Sequence, residues 1–568
     1  MSEYPRCSLQ LAGLVAIVIM TACGQVEANL IKAKGVSFGD VSSAVASAHE
    51  GDTVLVPAGS ASWTSTLTVA KGITLQGSGS DTVVLDDVPR NQSRGQQPKV
   101  GQQAGSRKRQ AQPESLFIKA GPLKAQRNAG GGSGVIIRIK LTPRQSFRLT
   151  GFTFRYGSVV TAQNQHGAIG ISGRCPSVRV DNCHFDQLYV TTNIFFDGWL
   201  YGVVDHCIFD IRPRGGGASV RVYHTNWGDQ PSGGWGSWAD PPYFGSEKFI
   251  FVEDNVINNL GPAPERGNID GQHGGRFVIR HNTFNNCNIF YHGSDNGTAA
   301  PFYNRGTRAV EIYNNAFISS GQRVPAGQDR SGPLIWHDNT YTGNYGGGMM
   351  LASYRQSEYE TKGFFGGDGT SPWDYNATEP DGTHVDGHSP YTYATGTHTG
   401  GNDSTTITVT GTPWKTNQWA GYTATNTNPR SRYYHGFNWI ASNTSNTLIL
   451  NDAAVNPPHG KFDAGDTFAI HKVLIIIDQP GRGKGDLIVG NPSGSTNLNG
   501  TNWPKWPNQV IEPCYSWNNT LNGQNLDFKY NEANKLLKEN VDFYNNTPMP
   551  GYKPYIYPHP LTVASGNP

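Results

Sequence analysis

A six-residue phrase recurs along this chain and leaves few folds open to it. Val180-Asp-Asn-Cys-His-Phe185, Val204-Asp-His-Cys-Ile-Phe209, Val252-Glu-Asp-Asn-Val-Ile257, Ile279-Arg-His-Asn-Thr-Phe284, Ile312-Tyr-Asn-Asn-Ala-Phe317 and Trp336-His-Asp-Asn-Thr-Tyr341 align without gaps. Successive copies start 24, 48, 27, 33 and 24 residues apart, a coil of about two dozen residues that accepts insertions. Such units stack because no single coil can bury its own apolar face. The fourth column holds Cys183, Cys207, Asn255, Asn282, Asn315 and Asn339. Stacked Asn side chains bond from coil to coil and Asn tolerates left-handed backbone, so one tight turn is expected to repeat in register, with the two Cys filling the same inward slot. A seventh copy, Ser516-Trp-Asn-Asn-Thr-Leu521, places Asn519 in that column.

The spacing therefore predicts an all-β solenoid, and the 70 Gly with only 15% charged residues agree with a chain of strands and turns. It should occupy residues 30–390, with a solvated flexible loop at about 88–134 that includes Arg107-Lys108-Arg109. A small β module is expected at 391–472, on the strand signals Thr405–Thr410 and Thr447–Leu450. The coil resumes over 473–568 and ends in a Pro-rich tail, Pro548–Pro560, packed along its outside. The first coil needs a lid, and Asp40 offers an N-cap to a helix with Val41, Ala44, Val45 and Ala48 on one face.

Residues 1–23 read as an export signal: Arg6 precedes an apolar run, Leu11–Met20, too short to span a bilayer. Export places the protein outside the cell, in a periplasm, or at a surface on a lipid anchor. Met20-Thr-Ala-Cys23-Gly24 fits lipidation at Cys23, the membrane contact then being that anchor alone, and an ordinary signal peptide fits as well. Cys7, Cys23, Cys175, Cys183, Cys207, Cys287 and Cys514 show neither zinc spacing nor a dense disulfide framework and read as structural. A net charge of +2 argues against nucleic acid as a partner, since phosphate binding needs a concentrated basic surface.

The ladder, with Gly51-Asp-Thr-Val-Leu-Val-Pro-Ala-Gly59 and Gly72-Ile-Thr-Leu-Gln-Gly77, resembles the pectate-lyase-like superfamily of right-handed parallel β-helices over most of the chain. That resemblance implies a polysaccharide partner and catalytic groups on one strand sheet upstream of the ladder turn. The matching segments here are Asn193–Gly198, Ser219–His224, Asn268–His273, Asn288–Gly293 and Met349–Arg355. They carry Asp197, Arg221, Tyr223, His224, Asp270, His273, His292 and Arg355, with Asp295 close behind. The insertion Thr225–Lys248 begins beside them and bears Trp227, Trp235, Trp238, Tyr243 and Phe244, rings that either stack on sugar or pack the loop onto the coil.

Two chemistries fit the strip. A lyase acting on uronate needs a base, here His224 or His292, a proton donor, here Tyr223, and a cation for the carboxylate, here Arg221 or Arg355. A hydrolase needs two carboxyl groups, for which Asp197, Asp270 and Asp295 are available. A non-catalytic glycan-binding surface protein is the third reading. Of the polygalacturonase motifs only Arg138-Ile-Lys140 occurs, too early in the chain to count, and Val204-Asp-His206 lacks the Trp and Ile of the pectate-lyase run. Asp181, Asp205 and Glu253 fall in one column of the repeat; either they hold Ca²⁺ or they form a solvated stripe relieved by Arg280.

Overall fold

The computed structural model describes residues 28–563 apart from 90–133, 159–166, 189, 213–217, 230–233, 262–268, 294–304, 352–391, 412–413, 421–422, 434–436, 451–460, 472–479, 484–509, 531–536 and 538. The expected leader with Cys23, the basic loop, Asp295 and Arg355 lie outside the described residues.

The protein is all-β and built on long parallel sheets, an arrangement consistent with a β-helix or solenoid. A 16-stranded sheet runs Leu30–Lys32, Thr53–Leu55, Thr74–Gln76, Phe147–Thr150, Ile169–Asp181, Thr192–Asp205, Ile250–Glu253, Arg276–Arg280, Ala309–Tyr313, Leu334–His337, Cys514–Trp517 and Phe543–Tyr544, with four further strands off this path. An 11-stranded sheet takes the strand after each ladder turn, from Gly59–Trp63 to Gln524–Asn525. A third sheet joins Ile289–Phe290, Gly327–Asp329, Met349–Leu351 and Lys529–Tyr530. The chain passes from one sheet to the next at each turn, so residues distant in sequence stack in register. His337 pairs Trp517 across the whole intervening segment.

The ladder turn explains that register. The Asn282 amide N–H donates to Asn315 Oδ1 at 3.0 Å, and Asn282 Nδ2 donates to the carbonyls of Val252 and Arg280 and to Asn315 Oδ1. Asn255, Asn315 and Asn339 repeat the pattern, and the last of them hands on to Asn519 at 2.8 Å. The two cysteines do more than fill space. Cys207 Sγ sits 3.7 Å from Val180 O and 3.4 Å from Asp205 O, the two carbonyls equivalent to those the Asn amides serve, while its N–H donates to Asn255 Oδ1. A thiol thus stands in for an amide donor, and among the described residues Cys175, Cys183, Cys207, Cys287 and Cys514 are all buried and unbridged. The left-handed residue is not in the ladder column itself but one before it: Asn182, His206, Asp254, His281, Asn314, Asp338 and Asn518 all have φ between 50° and 57°. Asn, Asp and His tolerate that region better than other side chains. The sixth column is apolar and stacks inward, with Phe185–Phe209 centroids at 4.9 Å and Phe317–Tyr341 at 4.3 Å.

Two expectations are corrected. The N-terminal helix spans Phe38–Ser47, one turn's start earlier than read from Asp40: Ser37 is the N-cap, and its Oγ accepts the Asp40 N–H. Val41, Ala44 and Val45 nonetheless face the main core, with Ala48 buried just beyond. The carboxylate column is not an outer stripe. Asp181, Asp205 and Glu253 are each 0% exposed and are clamped by Arg148, Arg179 and Arg280 at 2.6–2.8 Å. Alternating Arg and carboxylate removes both the repulsion and the oxygen donors that Ca²⁺ would require. Over this buried network runs the tail: Arg280 donates to Tyr555 O and Ile556 O, Arg179 to Leu561 O, and the His559 N–H to Glu253.

The segment within 392–471 forms its own antiparallel six-stranded sheet, including Thr406–Thr408 and Thr447–Leu450.

Candidate functional site

The strip expected to carry chemistry is stacked in register. Phe195, Arg221 and Asp270 occupy one row across three strands, and Asp197, Tyr223 and Gln272 the next row on the same face, two residues on. Side chains alternate along a strand, so His224, one residue past Tyr223, turns inward. It is 0% exposed; Nδ1 accepts the Arg276 amide N–H at 3.0 Å and Nε2 lies 2.9 Å from Leu200 O. Burial lowers its pKa to about 3, with the nearby Arg276 charge acting in the same direction. The ring is therefore neutral and both its nitrogens are engaged, which removes His224 from the outward face where it was expected.

Three groups on the strip converge. Arg221 Nε donates to Asp270 Oδ2 at 2.8 Å, and His292 Nδ1 lies 2.8 Å from Asp270 Oδ1. His292 reaches this position because its amide donates to Gly271 O, which sets the end of the strand Ile289–Phe290 beside Ile269–Gln272. Burial of Asp270 would raise its pKa; the facing charges of His292 and Arg221 and their hydrogen bonds bring it below the usual carboxylate value. The Asp270 carboxylate on Nδ1 fixes the orientation of the His292 ring, whose side chain is 33% exposed.

Tyr223 is half-buried beside them. Its hydroxyl donates to Gln272 Oε1 at 3.0 Å, and its ring stacks on His273 at 4.5 Å. His273 adopts φ 51°, its amide donating to Arg305 O. Asp197 is half-buried and accepts from Thr225 Oγ1 at 2.7 Å. Arg330, which the strand pattern alone did not single out, lies with its guanidinium 3.7 Å over the Phe290 ring and donates to Gln328 Oε1. Its backbone closes on Gly293, where an added Cβ would meet Arg330 O at 2.8 Å.

The aromatic loop is a packed wall. Trp227 and Trp238 are 1% and 0% exposed, donating to Asp240 Oδ2 and Gly306 O. Arg276, also fully buried, donates to Ser237 Oγ and to the carbonyls of Ser237, Pro241 and Pro242. Tyr243 stacks on Trp227 and under Lys248, and Phe244 on Phe249. Trp227 and Trp238 thus fasten the loop to the coil, while Tyr243 is half-buried and the side chain of Trp235 lies outside the described residues. The loop still borders the strip, since Gly234, with φ 82°, presses so closely on the His273 backbone that a Cβ would sit 2.1 Å from it.

On the second sheet His184, Asp186 and Asp210 bring three metal-capable atoms within 4.8 Å of one another. Each already has a protein partner: His184 on Asp210, Arg155 on Asp186 and Asn258 Nδ2 on Asp210. Among the described residues no helix is long and apolar enough to cross a membrane.

No family model matches the chain, and no curated protein does. Among solved structures it is similar to one titled Geobacillus virus E2 ORF18, at 11% identity and a TM-score of 0.26, over 55% of this chain and 51% of that one. The match spans about half the length of the viral protein and is too distant to bear on fold or function.

Proposed function

We propose that the chain is an exported right-handed parallel β-helix of the pectate-lyase-like kind, closed at its N-terminal end by the helix at Phe38–Ser47, and that it cleaves a uronate-containing polysaccharide by β-elimination. The observation that carries this reading is the Arg221–Asp270–His292 constellation on one face of the coil. With Asp270 accepting at Nδ1, His292 Nε2 takes the proton beside the uronate carboxylate. Arg221 supplies positive charge where the carboxylate becomes enolate-like. The electrons then form a carbon–carbon double bond as the glycosidic oxygen leaves, and that oxygen takes a proton from Tyr223 or from water.

Hydrolysis is less well supported by the described residues. It needs one carboxyl group that is protonated and another opposite it, yet Arg221 and the hydrogen bond with His292 hold Asp270 below the usual carboxylate range. Nothing in this chemistry requires Ca²⁺ among Asp181, Asp205 and Glu253, whose charges are met by arginine.

The test is a panel of acidic and neutral polysaccharides, run with and without chelator. β-Elimination gives an unsaturated product that absorbs in the ultraviolet, hydrolysis gives reducing ends alone, and a binding protein retains the glycan uncut. His292→Ala should abolish the absorbance change. A variant that still generated it at the wild-type rate would sink the assignment of the base.

A further inference from the structure

The C-terminal segment is fastened at points of unlike chemistry. Tyr557 donates to Asp254 Oδ1 and stacks on His281, while Tyr555 and Leu561 pack on the apolar cluster of Val203, Phe249, Phe251 and Val278. Further toward the segment's start the anchor is Glu311, a fully buried carboxyl on the strand Ala309–Tyr313. Tyr552 Oη donates to Glu311 Oε2 at 2.5 Å, and the Gly245 amide, from the loop that walls the strip, donates to Oε1 at 2.8 Å. Both donors are neutral. The other carboxylates beneath the tail, Asp205 and Glu253, each carry an arginine in direct contact, whereas Arg280 acts on Glu311 only through its field.

We propose that residues 549–563 form a releasable strap whose hold on the body weakens when Glu311 loses its proton, so that the strap and the adjoining loop end at Gly245 loosen together as pH rises. A protonated Glu311 is a neutral group buried among neutral donors, and ionising it leaves a charge in a water-free site without a contacting cation. Burial moves its pKa from 4.5 to about 7, so the hold weakens as pH rises above 4.5 and the loss is complete above about 7. Other titratable groups also face the strap, and burial raises Glu253 as well, against its pairing with Arg280. Burial lowers the pKa values of His559, His281 and His337 and raises those of Tyr552, Tyr555 and Tyr557, while Glu253 stays paired with Arg280.

The experiment is hydrogen exchange by mass spectrometry on the full chain from pH 5.5 to 8.5, corrected for the intrinsic pH dependence of exchange. Peptides covering 549–563 and 243–249 should lose protection by a factor on the order of thirty across that range, the part of a shift from 4.5 to about 7 that falls above pH 5.5. Peptides from the Asn ladder should not change. Glu311→Gln should hold the strap equally at every pH, and Tyr552→Phe should raise strap exchange at all of them. If wild-type strap and ladder keep a constant ratio of protection up to pH 8.5, or if Glu311→Gln shows the same loss as the wild type, the proposal is overturned. The wild-type comparison decides the matter even if the glutamine variant does not fold.

Discussion

Replacing Asn315 with alanine tests the ladder at its centre. Asn315 Oδ1 accepts from the Asn282 amide and from Asn282 Nδ2, each at 3.0 Å, and Asn315 Nδ2 donates to Ile279 O, Tyr313 O and Asn339 Oδ1 at 2.9 Å. All of these groups are buried, so no water replaces the lost partner. Leaving one buried donor or acceptor unmet costs about 1–3 kcal/mol. The Asn282 N–H loses its acceptor outright, while the carbonyls keep other donors in part, so the expected loss is about 3–4 kcal/mol. Asn315→Cys should lose less, because Cys207 already fills the equivalent slot with a thiol donor to the matching carbonyls. Unfolding of a repeat array need not be two-state, so the readout is local: protection of the Asn282 and Ala316 amides by hydrogen exchange, alongside urea unfolding of the full chain. Substituting the exposed Asn344 provides the surface control, expected within about 0.5 kcal/mol of wild type. If Asn315→Ala costs under about 1 kcal/mol, or if alanine and cysteine are equivalent, the ladder does not hold the coils as argued.

His224 gives an acid-side prediction. Its folded pKa of about 3 lies below the unfolded value of 6.5, so its contribution is complete above pH 6.5 and is lost as pH falls toward 3, by at most roughly 4–5 kcal/mol. His224→Gln should flatten that part of a melting-temperature profile between pH 7 and 4; an unchanged slope would mean that other groups set it. Asp205→Asn takes from the buried Arg179 its closer carboxylate, leaving Asp181 at 3.5 Å, and should cost up to about 3–5 kcal/mol by chemical unfolding, while replacing Asp205 and Arg179 together by Leu and Met should recover most of it. Asp270→Asn should lower the lyase rate at saturating substrate and shift the pH at which His292 becomes active, seen in the pH profile of kcat; a change in KM alone would contradict its role in orienting His292.

Much of the fold was legible because a solenoid writes its period into the chain. The fourth column could be read from Cys183 to Asn519, and the same column carries the hydrogen bonds. What escaped was one residue of phase: the left-handed position belongs to the third column, where His206 and His281 sit alongside Asn and Asp, so a ladder of Asn was mistaken for the source of the turn. The burial of Asp181 and Asp205 was hidden for a different reason. Their partners, Arg148 and Arg179, sit at the middle of neighbouring strands, and only stacking brings cation and anion together. The site turned on the same alternation. Phe195 with Asp197, Arg221 with Tyr223, and Asp270 with Gln272 are pairs two residues apart, which place one face outward on all three strands. His224 is out of step with that face by one residue and could have been excluded by parity alone. His292 lies beyond the short strand Ile289–Phe290, and pattern could not bring it to Asp270; its amide bond to Gly271 does. The loop aromatics followed the alternative that sequence had left open, because five buried guanidinium donors and two indole N–H groups find the backbone carbonyls and side chains that fasten the loop more readily than an open groove would offer them. What remains on the outward face is then a set of polar groups around His292, so the ligand proposed for it would be selected by charge and hydrogen bonding before ring stacking.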